Sequence, residues 1–506
     1  MIYSLFEQQV QTHPNRTFLL YDDQEWTYAQ VCHAVGKVTL GLEAHGIGQG
    51  AHVGVLMHNS PLYVVVWMAI AKRGAVLVPL QTGLNSERLD YILKQSHSKL
   101  LVCDRFHRQL LTEWKFETVP LLELDTDLLS SQDASNLLHG QAIPVKESDP
   151  AAIVYTSGTT SSPKGVVISN RCYVEAGMDM MQTLGLCEDD RMYVFLPLFH
   201  VNPQMYGYMS ALCAGASIVI GDRFSATSFW DTVRRYNVTC FTYVGTVLSI
   251  LAKGEACYDH RVRRCVGGGA PRMTWETFES KFGVQVMELY GMTEIGGFTT
   301  GNTVSEYKRF SVGKPRPCME VAIVDDTDRP VPPYQAGEIV VRPRKPHVIF
   351  EEYYREPEKT LQCIRNLWFH TGDLGYYDEE GFLYYVGRRK EIIRCRGENI
   401  SPYEVETAVM KNPHILDAAA VGIPDDISEE ELKLCVQTDG SITVTDVYEF
   451  CRHNLSAFMW PRYIEIVDQI PKTPTQKIQR QKLQYVNHKV YDVRNSASFH
   501  QWRIVE

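Results

Sequence analysis

Short β-branched runs alternate with longer stretches of helical spacing through the first half of the chain, and no other feature restricts the fold as much. His52-Val-Gly-Val-Leu-Met57 and Ala75-Val-Leu-Val78 read as strands, with a helix from Leu62 to Ala71 between them. Glu87 to Gln95 carries leucine, tyrosine and isoleucine at helical spacing and precedes the strand-like Lys99-Leu-Leu-Val-Cys103. A second series of strands is expected at Arg191 to Leu196, Ala216 to Ile220, Val238 to Val244 and Arg263 to Val266. Strands alternating with helices form βαβ units, which close into largely parallel sheets with helices outside. Two such series predict an α/β fold, with two α/β subdomains in a large N-terminal domain.

Past about residue 310 the strands shorten, as in Glu320-Val-Ala-Ile-Val-Asp325 and Gly337-Glu-Ile-Val-Val-Arg342, and predict a small β-rich subdomain. Ser401-Pro-Tyr-Glu404 has the spacing of a capping box with proline at the first helical position. The expected organisation is an N-terminal domain over 1–387, a hinge at 388–391, a small α+β C-terminal domain over 392–484 and a tail over 485–506. At 506 residues the chain exceeds one core, and the length corresponds to about three units of ~150 residues.

A net charge of −10 argues against a nucleic-acid partner. The 13 cysteines are odd in number and form no Cys-x-x-Cys pair, which fits reduced thiols in the cytoplasm and not a disulfide or zinc framework. No signal peptide is expected, because Glu7 follows at once on Met1-Ile-Tyr-Ser-Leu-Phe6. The apolar stretch from Pro61 to Leu80 is broken by Lys72-Arg73-Gly74, so it reads as a buried helix and strand, not a membrane span.

The chemistry concentrates first in Tyr155-Thr-Ser-Gly-Thr-Thr-Ser-Ser-Pro-Lys-Gly165. Six hydroxyls (among them Thr156, Ser157, Thr159 and Thr160), Gly158 and Lys164 follow an apolar run. Backbone N–H groups, hydroxyls and a lysine suit polyphosphate oxygens, although the same composition makes a flexible linker. It is not a Walker loop, because Lys164 precedes its glycine and follows a proline. In Tyr290-Gly-Met-Thr-Glu294, Glu294 is a hard oxygen ligand for Mg²⁺, Thr293 offers a hydroxyl and Tyr290 a flat face for adenine. A strand end followed by a glycine turn accounts for that segment equally well. Gly267-Gly-Gly-Ala-Pro271 lets a flat ring approach the backbone or simply turns the chain. Asp373 can accept both hydroxyls of a ribose, or sit in an ordinary Gly-Asp turn.

Taken with Trp368-Phe-His-Thr-Gly-Asp373, Gly387-Arg-Arg-Lys390, Arg396-Gly-Glu-Asn-Ile400 and Pro471-Lys-Thr-Pro-Thr-Gln-Lys477, these segments recur in a fixed order over roughly residues 1 to 485. In this the chain resembles the adenylate-forming superfamily of acyl- and aryl-CoA synthetases, peptide-synthetase adenylation domains and firefly-type luciferases. Within it the chain is most like acyl-CoA ligases of the carnitine/crotonobetaine type. The resemblance implies ATP, Mg²⁺ and coenzyme A, a small carboxylic acid substrate, and an acyl-AMP that becomes a thioester. The same residues fit an enzyme that loads a carrier-protein phosphopantetheine.

Residue by residue, the resemblance implies Lys477 as the adenylating lysine, Thr293 on the α-phosphate, and Glu294 with Thr156 at the metal. Gly268, Gly269, Ala270 and Pro271, with Glu288, Tyr290 and Gly291, are implied at the nucleotide. Asp373 and Arg388 are implied at the ribose, Arg396 and Gly397 in the second half-reaction, and Lys390 at the hinge. His200 is implied as an aromatic gate, with Tyr243 and Gly245 bordering an acyl pocket that Gly245 leaves open. Gln476 stands where the family usually has glycine before the lysine.

Overall fold

The computed structural model describes residues 1–129, 140–156, 163–395, 398–425, 428–472, 478–487 and 489–495. The chain forms two compact units. The first comprises Met1–Ala270, Thr274–Val321 and Val341–Phe369; the second comprises Pro271–Met273, Ala322–Val340 and His370–Glu506. That division falls at 370 and takes in 322–340, whereas the sequence reading drew its line at 387. Among the described residues no helix is long and apolar enough to cross a membrane.

Both expected α/β series are present in the first unit. A seven-stranded sheet runs in the order Glu352–Tyr353, Lys164–Ser169, Pro150–Thr156, Val76–Pro79, His52–Leu56, Leu100–Asp104, Leu121–Leu124. His52–Leu56 pairs in parallel with both neighbours, and Val53 through Leu56 are all buried, so both of its faces are covered, as parallel strands require. The crossover helix Pro61–Lys72 begins where the Ser60 side chain accepts from Tyr63 N and proline takes the first turn. The chain then turns antiparallel: Pro150–Thr156 and Lys164–Ser169 form a hairpin in which Thr156 faces Lys164.

A nine-stranded sheet runs in the order Lys314–Pro315, Thr300–Gly301, Gln285–Tyr290, Arg264–Gly268, Cys240–Val244, Arg191–Val194, Ser217–Ile220, Thr17–Tyr21, Gln24–Thr27. Its core gathers Phe195, Phe229, Phe241, Tyr243, Trp275 and Phe278. Apart from Glu352–Tyr353, the strands between 319 and 388 form a five-stranded sheet in which Trp368–Tyr377 pairs antiparallel with Leu383–Arg388.

The second unit holds a six-stranded sheet around Glu429–Thr438, which pairs with Ile415–Asp425 and Tyr463–Ile466. Ser401 caps Pro402–Val409 by accepting from Glu404 N, which is the Ser401 half of the expected box. The tail needs correction: Tyr491–Asp492 adds a strand beside Tyr463–Ile466. Fully buried Lys433 pairs with Glu465 at 2.7 Å and donates to the carbonyls of Leu483 and Tyr485. Lys433→Met would leave the Glu465 carboxylate buried and unpaired, a cost of about 3–5 kcal/mol. Denaturant unfolding should show that loss, and adding Glu465→Gln should recover most of it; an unchanged midpoint for the single variant would remove the ion pair from the account.

Candidate active site

The described flanks of the phosphate loop are Thr156 and Lys164. Ser157, Gly158, Thr159 and Thr160 lie outside the described residues, as do Arg396, Gly397, Gln476 and Lys477. Lys164 stands with its ammonium 4.6 Å from the centre of the Tyr353 ring. Glu294 lies in a single turn of 3₁₀ helix, Thr293–Ile295, that follows the strand Gln285–Tyr290 and Gly291. A Cβ on Gly291 would overlap the Gly297 carbonyl oxygen, so the glycine of this motif is needed for the backbone's own close approach.

The Glu294 carboxylate is buried and accepts a 2.9 Å hydrogen bond from the Tyr353 hydroxyl. No cation pairs with it among the described residues. A buried carboxylate ordinarily has a positive partner, so its remaining oxygen fits a divalent ion, whose hard-ligand preference one carboxylate beside phosphates satisfies.

Glu288 belongs to the protein more than to a ligand. Its carboxylate accepts from Gly269 N, from Ala270 N at 3.0 Å and from the Tyr243 hydroxyl. Burial pushes its pKa from 4.5 up to about 7 against the three hydrogen bonds that favour the charged form. Tyr243 is fully buried in the aromatic core. The volume expected beside Gly245 is filled as well: a Cβ there would overlap the carbonyl of Gly269. Gly245 is a contact point between two backbone segments, which corrects its reading as an acyl-pocket floor.

His200 ends the segment Leu196-Pro-Leu-Phe-His200 and leads into a π-helix, Asn202–Met209, a form concentrated at functional sites. Asn59, which the sequence reading missed, clamps this segment by donating to Leu196 O at 2.9 Å and accepting from Leu198 N at 2.8 Å. Gln204 donates to Leu198 O at 2.7 Å. The Asn202 amide donates to Tyr243 O at 3.2 Å, while its buried Oδ1 has no partner among the described residues.

In the second unit, Asp373 and Arg388 face one another across the strand pair, with Arg388 Nε 3.5 Å from Asp373 Oδ1. Glu338, absent from the sequence reading, holds the turn before Asp373. It accepts from Gly372 N at 3.1 Å, meets His370 Nδ1 at 3.1 Å and accepts from Arg389 at 3.3 Å. Lys390 is exposed in the short helix Arg389–Glu391. Arg480 donates to Glu391 at 3.1 Å and binds both oxygens of Glu406, anchoring the segment that follows Lys477.

Residues 6–354 match the family described as AMP-binding enzyme, and residues 404–477 match the AMP-binding enzyme C-terminal domain. The chain belongs to the AMP-binding enzyme family. It is 31% identical to a crotonobetaine/carnitine–CoA ligase from Citrobacter koseri, over 95% of this chain and 98% of that protein. It is 34% identical to an oxalate–CoA ligase from Arabidopsis thaliana, over 86% and 88%. Its structure is similar to that of o-succinylbenzoate CoA synthetase from Bacillus subtilis in complex with its acyl-adenylate intermediate, with a TM-score of 0.84, 28% identity, and coverage of 96% and 98%. The chain is an acid–CoA ligase that works through an acyl-adenylate with ATP, Mg²⁺ and coenzyme A.

Two variants test the local geometry. Gly245→Ala should lower activity toward every acid together, because it displaces the Gly269 backbone; a selective loss of larger acids would restore the pocket reading. Folding raises the pKa of Glu288, so its contribution to stability is complete below pH 4.5 and is lost as the pH climbs through about 7. Relative to Glu288→Gln, the wild type should therefore lose up to about 1.4 kcal/mol per pH unit across that window. Denaturant unfolding at a series of pH values reads the difference, and a constant gap would refute it.

Proposed function

We propose that this ligase activates a small, polar organic acid in the cytoplasm and passes it to free coenzyme A. In the first half-reaction a carboxylate oxygen attacks the α-phosphorus of ATP, and pyrophosphate leaves. In the second, the CoA sulfur attacks the acyl carbon, AMP leaves, and the thiol proton goes to solvent. When bound, Mg²⁺ neutralises triphosphate charge. Lys164 and Thr156 hold phosphate oxygens at the loop, Glu294 holds the metal's position, and Thr293 donates to the α-phosphate. Asp373 and Arg388 take the ribose hydroxyls, and Lys477 bridges the carboxylate and α-phosphate as their charges meet.

The observation that carries the nucleotide reading is the buried Glu294 carboxylate without a cationic partner among the described residues, on a tyrosine that also holds Lys164. Support for a polar acid comes from the unpartnered Oδ1 of Asn202 beside His200, and from the filled space at Gly245. The relatives named for carnitine, crotonobetaine and oxalate agree with it. Two half-reactions that need different surfaces are served by rotation of the C-terminal domain about Lys390, with Lys477 acting first and the Arg396-Gly397 segment second.

Acid-dependent ATP–pyrophosphate exchange over a panel of acids tests the substrate class. Short dicarboxylates and betaine acids should show the largest specificity constants; a medium- or long-chain fatty acid ahead of all of them would overturn it. Lys477→Ala should cost adenylation roughly 3–4 kcal/mol in barrier, as for a lost transition-state donor, while thioester formation from supplied acyl-AMP suffers far less. Lys390→Pro should reverse that pattern, and equal losses in both assays for either variant would remove its assigned role.

A further inference from the structure

The two charged groups assigned to the triphosphate, Lys164 and Glu294, lie close enough to share one neighbour, yet they form no ion pair with each other. Their shared neighbour is Tyr353. It occupies the two-residue strand Glu352–Tyr353 at the edge of the seven-stranded sheet, antiparallel to Lys164–Ser169 and opposite Val166. Backbone bonds fix it on both sides: Tyr354 N donates to Gly165 O at 2.7 Å and Phe350 N to Glu294 O at 2.9 Å. Its own N–H donates to Thr360 Oγ1 at 3.0 Å, and the Phe350 ring packs 5.2 Å from its ring. The side chain is 5% exposed, so the ring has little freedom to move away.

The two ends of this side chain bind opposite charges. The hydroxyl donates to Oε1 of Glu294 at 2.9 Å, and the ring face carries the Lys164 ammonium at 4.6 Å. A phenol suits both tasks, because its O–H is a donor and its ring face is electron-rich. In a buried setting, a lysine and a glutamate free to swing would pair directly, and the attraction would grow as water was excluded. Each would then have to be pulled from the other before it could meet phosphate or metal.

We propose that Tyr353 is the positioning residue that keeps Lys164 and Glu294 apart, fixing one oxygen of Glu294 and leaving both charges open to a metal–triphosphate. This rests on the assignment of Glu294 to the metal made above. Metal ligands are generally oriented by a second hydrogen-bonding partner, and removing such a partner typically costs about 10–100-fold in metal affinity. Here the partner also holds the neighbouring cation, so its two functions can be removed one at a time.

Tyr353→Phe deletes the hydroxyl and keeps the ring; Tyr353→Leu deletes both. The direct readout is Mn²⁺ binding to the enzyme with a non-hydrolysable ATP analogue, followed by electron paramagnetic resonance, beside calorimetric binding of the metal-free analogue and a thermal melt. Tyr353→Phe should weaken Mn²⁺ binding about tenfold or more, with metal-free nucleotide affinity and melting temperature close to wild type. Tyr353→Leu should weaken the metal-free nucleotide as well, because Lys164 loses its seat. Glu294→Gln separates the two layers of the argument. If it weakens Mn²⁺ binding and Tyr353→Phe does not, the role of Tyr353 is wrong and the metal assignment stands. If Glu294→Gln leaves Mn²⁺ binding intact, the metal assignment fails and takes this proposal with it. Should Tyr353→Leu fail to fold, the Phe variant alone decides.

Discussion

A single buried carboxylate closes the end of the nine-stranded sheet. Glu288 collects two loop amides and a tyrosine hydroxyl that would otherwise be left without partners in a dry interior, and leaving them so would cost more than the bonds contribute when made. The price of that closure is a carboxylate whose pKa burial pushes up to about 7. Its three donors come from Tyr243 and from the loop at 269–270, so the strand ends at 244 and 268 are drawn together. The side-chain-free contact between Gly245 and Gly269 follows from the same closure. The loop at 269–270 is therefore shaped from behind by a carboxyl group that belongs to the fold itself.

How much of this could be read from the chain depends on the distance over which each feature is encoded. The parallel strands and crossover helices were legible because hydrophobic period is encoded within a dozen residues, as from Leu62 to Ala71. Lys164, Glu294 and Asp373 stand out as candidates through their neighbours in sequence. Tyr353, Glu338 and Asn59 were not, because their partners lie 59, 34 and 139 residues away, respectively, and a lone tyrosine or asparagine carries no local signal. Gly245 was misread for a related reason. A glycine after a strand looks the same whether its missing side chain makes room for a ligand or for another stretch of backbone, and only the position of Gly269 decides it.

The second unit solves a different electrostatic problem. Arg480 gathers Glu391 and Glu406, and Lys433 gathers Glu465 and two carbonyls near residue 484. Both cations tie late segments of the chain to earlier strands and helices. Pairing charges inside a small domain favours specificity of arrangement over raw stability, and here the arrangement concerns the stretches on either side of 473–477. Lys472, paired with Asp417 before that segment, and Arg480 after it are the fixed cations that flank the lysine-bearing stretch in sequence.

The π-helix at Asn202–Met209 gives the enzyme an unusual route for change. A π turn holds more residues than an α turn, so loss of one residue from this stretch would let it relax into the commoner helix without a chain break. Side chains on either side of the turn would keep their phase, because the π turn already absorbs the extra residue, and only those within it would be re-aimed. Ordinary point substitutions alter one side chain at a time, whereas this single-codon event would re-aim several neighbouring side chains of Asn202–Met209 together. A change in length by one residue would thus be absorbed inside Asn202–Met209, while the strands and helices that follow keep their places.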